Sequence, residues 1–325
     1  MTAALLVVIV LAMSIGKFPL SPGELADAWL GWTWGKTEYD PTIQTVIWNV
    51  RMPRIIAGIL IGASLAAAGA TFQALFRNPL VAPDILGVST GASLGAVLGI
   101  FLSLPVFVIQ LTSFVGGIAA VLAVYAVGIA VRHRDPVLTL VLAGVAISAV
   151  AGAGISLIKI LADPYDQLPA ITYWLLGSLT SVTRSDALGI LPVVLLGLVP
   201  LFVLRWQVNL MSLGDEEARA LGVDTRVLRP ILIAAATLVT ASSVSIAGVI
   251  GWVGLVIPHI ARLLVGPDFR HLLPASMLLG AIFLLIVDIL ARTIAMTEVP
   301  LGILTAAIGA PFFLWLLASG RRGWQ

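Results

Sequence analysis

Residues 205–230 read RWQVNLMSLGDEEARALGVDTRVLRP, the longest polar interval in the second half of the chain. Apolar runs of about twenty residues, the length that crosses a bilayer, flank it on both sides. Its order of residues predicts a short helix. Asp215, Glu216 and Glu217 fill a first turn, where carboxylates oppose the positive end of the helix dipole. Ala218, Arg219 and Leu221 continue with good helix formers. Gly222 supplies a left-handed stop, and Asp224 or Thr225 caps the apolar helix that follows. The interval is therefore expected to be a folded connector between two membrane helices. It is either an ordinary loop with one amphipathic turn or a handle for a soluble partner.

The composition extends this reading to the whole chain. Of 325 residues, 60% are hydrophobic and 10% charged, against about a quarter charged in a soluble domain. Such a chain cannot close as a water-soluble globule. Its apolar runs are continuous rather than alternating, which argues against a β-barrel. A net charge of +2 offers no footprint for nucleic acid. There is no cysteine for a disulfide or thiolate site, and the three histidines are scattered. No P-loop, HExxH or GxSxG is present, so any motor lies on another chain.

Ten membrane elements are expected, at about 3–16, 54–75, 86–103, 106–131, 137–161, 187–206, 227–248, 248–264, 271–294 and 301–318. The first is short, and some residues before it are expected to be missing. No basic n-region of a signal peptide precedes it. The connector 17–50 carries Trp29, Trp32, Trp34 and Trp48, which suit a membrane–water interface. Gly251, Gly254 and Pro258 predict that the eighth element is short and broken. In the third, Gly87, Gly91, Gly95 and Gly99 recur every four residues. Such a flat face admits another helix backbone closely, or alternatively lines a path; packing is favoured.

Charge sets the orientation. With a cytoplasmic N-terminus, Arg77, Arg132, Arg134, Arg205, Arg219, Arg226, Arg229, Arg262, Arg270, Arg321 and Arg322 fall inside. The other seven of the 18 Lys and Arg fall outside or near the outer ends. This follows the positive-inside tendency, with both termini and the central connector cytoplasmic.

Several stretches together resemble one family, the permease subunits of bacterial importers for iron–siderophore, haem and cobalamin, the type II ATP-binding-cassette (ABC) importers. They are RMPR (51–54), RNPLVAPDILGVSTGASLG (77–95), LAGVAIS (142–148), YWLLGSL (173–179), EEARALGV (216–223), GWVGLVIPHIARLLVGPDFRHLLPAS (251–276), DILAR (288–292) and VPLGILTAAIGAPFFLWLL (299–317). The resemblance covers nearly the whole chain. It implies an all-α polytopic subunit of about ten transmembrane helices with an inverted repeat relating helices 2–5 to 7–10. It also implies a homodimer in the bacterial inner membrane, with the path between the two copies. Two ATP-binding cassette subunits that carry ATP and Mg lie below, and a periplasmic or lipid-anchored binding protein lies above. The chain itself is then no enzyme and binds no cofactor. An oxyanion such as molybdate remains open as cargo beside the metal chelates. An ion-coupled carrier is the other class; it should show mid-membrane carboxylates, and only Asp288 comes near.

The resemblance also bears on particular residues. Residues 1–325 form one transmembrane domain, in which 207–226 is the cytoplasmic coupling segment. Asp215, Glu216, Glu217, Ala218, Arg219, Leu221 and Gly222 are expected at the ATPase. Val137, Leu138 and Thr139 are expected at an inner gate, with Gly87, Gly91 and Gly95 near the path. Arg51, Arg54 and Arg292 are basic residues on the outer side, against the positive-inside tendency, and RMPR and DILAR match the family's docking positions. They are expected to receive carboxylates of the binding protein, with Arg292 partly free. The alternatives are snorkelling and, for Asp288 and Arg292 at i,i+4, a mutual ion pair.

Overall fold

In lipid, long apolar runs leave the backbone one economical way to satisfy its N–H and C=O groups, the α-helix. The computed structural model of the protein describes residues 1–34, 40–131 and 136–318, and these contain helices and turns but no strand. In chain order the helices are α1 (Thr2–Ser14), α2 (Pro22–Trp34), α3 (Pro41–Gln44), α4 (Met52–Leu75), α5 (Val88–Phe101), α6 (Val106–Ala130), α7 (Pro136–Leu161) and α8 (Gln167–Leu175). They continue with α9 (Arg184–Val203), α10 (Arg205–Met211), α11 (Asp215–Ala220), α12 (Thr225–Ala247), α13 (Val253–Val265), α14 (Phe269–Thr293) and α15 (Leu301–Ala318). Six helices are long and apolar enough to cross a membrane: the one running from Pro41 to Leu75, α6, α7, α9, α12 and α14. Helices α1, α5, α13 and α15 are shorter and apolar. Together they account for the ten expected elements. Arg132, Arg134, Arg321 and Arg322, used above for orientation, lie outside the described residues, as do the side chains of Trp29, Trp32, Trp34 and Val137.

The second span departs from expectation. Residues 41–50 belong to its helix, not to a connector, so Arg51 and Arg54 lie inside the helix instead of preceding it. Pro53 lacks an N–H and its ring crowds the carbonyl one turn back. The chain answers by widening into a π-helix over Thr45–Arg51, where the Met52 N–H bonds the Ile47 carbonyl. The eighth element is broken as expected, but before α13 instead of within it. Gly248 and Trp252 both take positive φ, at 69° and 71°. Part of the freed backbone is satisfied by protein: the Ser178 N–H donates to the Ala247 carbonyl at 2.8 Å.

Helix α4 runs through the middle of the molecule, with 83% of its most apolar window buried, and α12 follows at 72%. Only 22% is buried in α6 and in α7. The two halves of the chain repeat. Helices α4, α5 and α6 have 24, 14 and 25 residues; α12, α13 and α14 have 23, 13 and 25. The contact of α4 with α14 is mirrored by that of α12 with α6, and α4 with α13 by α12 with α5. This is the inverted order the resemblance implies. Small residues set the closest seams. A Cβ on Gly62 would overlap the Gly280 carbonyl, and one on Gly69 the Gly254 carbonyl, so bare backbones meet there.

Candidate functional site

Two polar constructions stand out, one at each end of the bundle. The first is the connector between α9 and α12. Its short helix forms as expected, with three carboxylates in the first turn. It ends on Gly222 at φ 86°, where the Val223 N–H reaches back to the Ala218 carbonyl at 2.9 Å. Open space surrounds the missing Cβ of Gly222, so glycine is needed there for its backbone angle alone. Asp224, not Thr225, caps α12, accepting from the Arg226 N–H at 2.9 Å.

The connector is anchored to the bundle. Asn209 accepts from the Phe269 N–H at 3.1 Å, and Arg229 holds Asp215 at 2.8 Å. Ala218 is fully buried among core residues. This corrects the expectation that Ala218 lies at a partner contact: it is the inward face of the amphipathic turn. The outward face carries Glu216, Glu217, Arg219 and Leu221. It also carries Leu213, which sequence reasoning missed. Leu213 is 58% exposed and Leu221 57%. Two exposed leucines thus stand beside charged side chains on the outward face of the connector. The signal for Leu213 was available, since an apolar residue stands alone just before a helix start. The loop after α4 comes to the same end. Arg77 Nη1 lies 3.6 Å from where a Cβ of Gly214 would stand.

The second construction lies at the opposite end. Arg54 Nε meets Asp288 Oδ1 at 2.6 Å, and its Nη2 meets Glu298 Oε2 at 2.8 Å. Arg292 Nε stands 3.1 Å from Asp288 Oδ2. Arg292 also donates to the carbonyls of Ala12 at 3.3 Å and Ile15 at 3.2 Å. Arg51 donates to the carbonyls of Met13 and Phe18. Hence the last turn of α1, which has no cationic residue of its own, is closed by arginines from α14 and the π-helical stretch. Burial pushes the Glu298 carboxyl up, but bonds from Arg54 and Thr180 outweigh it and hold the group below the usual range.

The three arginines are 3%, 5% and 7% exposed. Arg292 is therefore not partly free, and none of the three is presented outward to a partner's carboxylate. The expected i,i+4 pair of Asp288 and Arg292 is present, enlarged by Arg54 from another helix. Asp288, the carboxylate nearest mid-membrane in the sequence, is held by two guanidiniums.

The path residues divide. Leu138 is exposed and Thr139 half-buried at the start of α7, which bears an exposed apolar stripe continuing through Leu142 and Val145. Gly87 does not belong with them. It takes φ 75° at the turn into α5 and faces Ser148 Oγ. The Cβ positions of Gly91 and Gly95 are taken by α6, at the Gly116 and Thr112 carbonyls. The ladder is first a packing surface, as favoured above. Gly91, Gly95 and Gly99 also line an apolar groove of ≈ 640 Å³ between α6 and α7.

Comparison with known proteins follows the same lines. The FecCD transport family matches residues 4–319. The chain is 43% identical over 282 residues to the "Probable iron chelatin transport system permease protein" of Helicobacter pylori, covering 86% of this chain and 84% of that one. It is 37% identical over 326 residues to the molybdate import system permease protein MolB of Haemophilus influenzae, covering 99% and 95%. A solved structure, described as an inward-facing conformation of a metal-chelate type ABC transporter, superposes with a TM-score of 0.88 at 36% identity. It covers 98% of this chain and 97% of that one.

Proposed function

The chain belongs to the FecCD transport family and is a multi-pass ABC transporter permease, and from that premise we propose that it imports a metal chelate as one half of a homodimer. Ferric siderophore, haem and cobalamin are the cargo class. The observation that carries this reading is the family match over residues 4–319, supported by the likeness to a metal-chelate type transporter over 98% of the chain. ATP and Mg bind on a separate subunit seated against residues 207–226, and a binding protein docks at the opposite end, in the topology with both termini cytoplasmic in the inner membrane. The molybdate relative, aligned over 99% of the chain, favours a second cargo class, an oxyanion. Binding measured for the cognate binding protein with ferric siderophore, haem, cobalamin and molybdate decides between the two.

The exposed face of α11 supports the coupling role. Leu213 and Leu221 are the apolar anchors there, with Glu216, Glu217 and Arg219 as a charged rim. Both leucines are more than half exposed and neither belongs to the buried core, so changing them disturbs the bundle far less than changing Ala218. Leu221→Arg is expected to release the ATPase from the purified complex, or to cut stimulated hydrolysis about tenfold, the effect of a hot-spot loss of ~1.4 kcal/mol or more. Retention of the ATPase with full transport sinks the assignment. Ala218→Arg is unsuitable, because it also breaks the connector's own core.

The path is proposed to run along the exposed stripe of α7, where the two copies face each other. Single cysteines at Leu138, Leu142 and Val145 are expected to crosslink to their own copies in at least one nucleotide state, in a background that holds no other cysteine. Crosslinks absent in every state would place this stripe against lipid instead.

A further inference from the structure

A groove opens on the membrane face of the protein between α6, α9 and α12. It holds ≈ 520 Å³, within the usual range for ligand sites, and its walls include Tyr125, Leu196, Pro200, Pro230, Ala234 and Leu238. Its origin is local. Helices α9 and α12 touch at Gly197, where a Cβ would press on Val239 and stand 2.9 Å from the Ala235 carbonyl. Further toward α11, Pro200 and Pro230 stand in the two helices and line the groove; neither has an N–H to give its helix.

At the α11 end the groove continues into a smaller, more polar recess of ≈ 240 Å³ lined by Arg226 and Arg229; Tyr125 and Pro230 line both. Arg226 is exposed, and its guanidinium has no hydrogen-bond or ion-pair partner among the described residues. Arg229 spends Nη2 on Asp215, but its Nε is buried without a partner. From Arg226 to Leu238 the helix rises about 18 Å, close to one leaflet of a core about 30 Å thick. The groove is thus an apolar slot of leaflet depth with the unpaired Arg226 at its watery end, beside the Arg229–Asp215 pair.

We propose that this groove binds one anionic phospholipid of the leaflet on the α11 side. The phosphate lies against Arg226 in the recess that Arg229 also lines, and an acyl chain fills the groove beside Pro200 and Pro230. Charge complementarity selects this occupant. A second copy of the chain, meeting this face across a two-fold axis along the membrane normal, would set like charges together at the same depth. Through Asp215 the same Arg229 ties the headgroup site to α11.

The test uses the full-length purified protein, incubated with phosphatidylglycerol or with phosphatidylcholine of the same chains and read by native mass spectrometry for retained lipid. Phosphatidylglycerol is expected to be retained about fivefold or more over phosphatidylcholine, the ratio one arginine near a membrane surface supplies. Arg226→Gln should reduce that preference about fivefold and leave phosphatidylcholine retention unchanged. Ala234→Trp should fill the slot and remove both lipids, with the melting temperature showing the variant folded. Equal retention of the two lipids by the unaltered protein overturns the proposal. So does lipid held undiminished by Ala234→Trp, dissociation of a dimer by that variant, or displacement of phosphatidylglycerol by glycerol 3-phosphate alone.

Discussion

Asp288→Ala is expected to destabilise the protein by about 3–5 kcal/mol, the cost of leaving buried charge uncompensated. Asp288 is wholly buried and faces Arg54 at 2.6 Å and Arg292 at 3.1 Å. Its removal leaves Arg54 with only Glu298 as a countercharge, and Arg292 with backbone carbonyls alone, those of Ala12, Ile15 and residue 288 itself. Thermal unfolding of the purified protein in detergent, with its own lipid retained, reads the change. Removing Arg54 as well, in Asp288→Ala with Arg54→Leu, should recover part of the loss, because the excess charge leaves with its carboxylate. The same geometry alters what a charge reversal means. Arg54→Glu places three carboxylates within one buried cluster, so the fold fails before docking is reached. Arg51→Glu frees the end of α1 and should raise proteolysis of residues near 15–20. A normal melting temperature for Asp288→Ala would show that the cluster is solvated and available to a partner.

Gly62→Leu is expected to be among the most damaging substitutions outside that cluster. Helices α4 and α14 meet backbone to backbone at Gly62 and Gly280, each Cβ position being occupied by the other's carbonyl. Overpacking costs typically 1–3 kcal/mol, occasionally more. Here the obstacle is main chain, which has no rotamer to change, so the upper end or beyond applies. The protein should fail to purify as a single species. Gly189 is the control: it also lies in a helix, α9, but nothing stands within 4 Å of its Cβ position. Gly189→Ala should be neutral or stabilising by up to about 1 kcal/mol. Equal melting temperatures for Gly62→Leu and Gly189→Ala would mean that the seam separates readily.

Much of this was legible in the chain itself. Ten membrane elements, the carboxylate start and glycine stop of α11, and the short eighth element all follow from periodicity, caps and breakers. These are local signals, carried by residues a few positions apart. The family stretches, met in order, determined the class of protein. The burial of Arg51, Arg54 and Arg292 was not legible, because it depends on two things outside any local window. One is the π-helical turn before Pro53, which draws both arginines into the span. The other is the arrival of α1 and α14 beside that span, which brings Asp288 and Glu298 to Arg54 from more than two hundred positions away. Ala218 and Gly87 were misplaced for a related reason. Six residues of α11 contain too few turns to show which face is inward, and a glycine looks the same in a ladder and in a turn. Periodicity along one helix says that a side exists; only the neighbouring helices decide whether that side meets lipid, water or a buried countercharge.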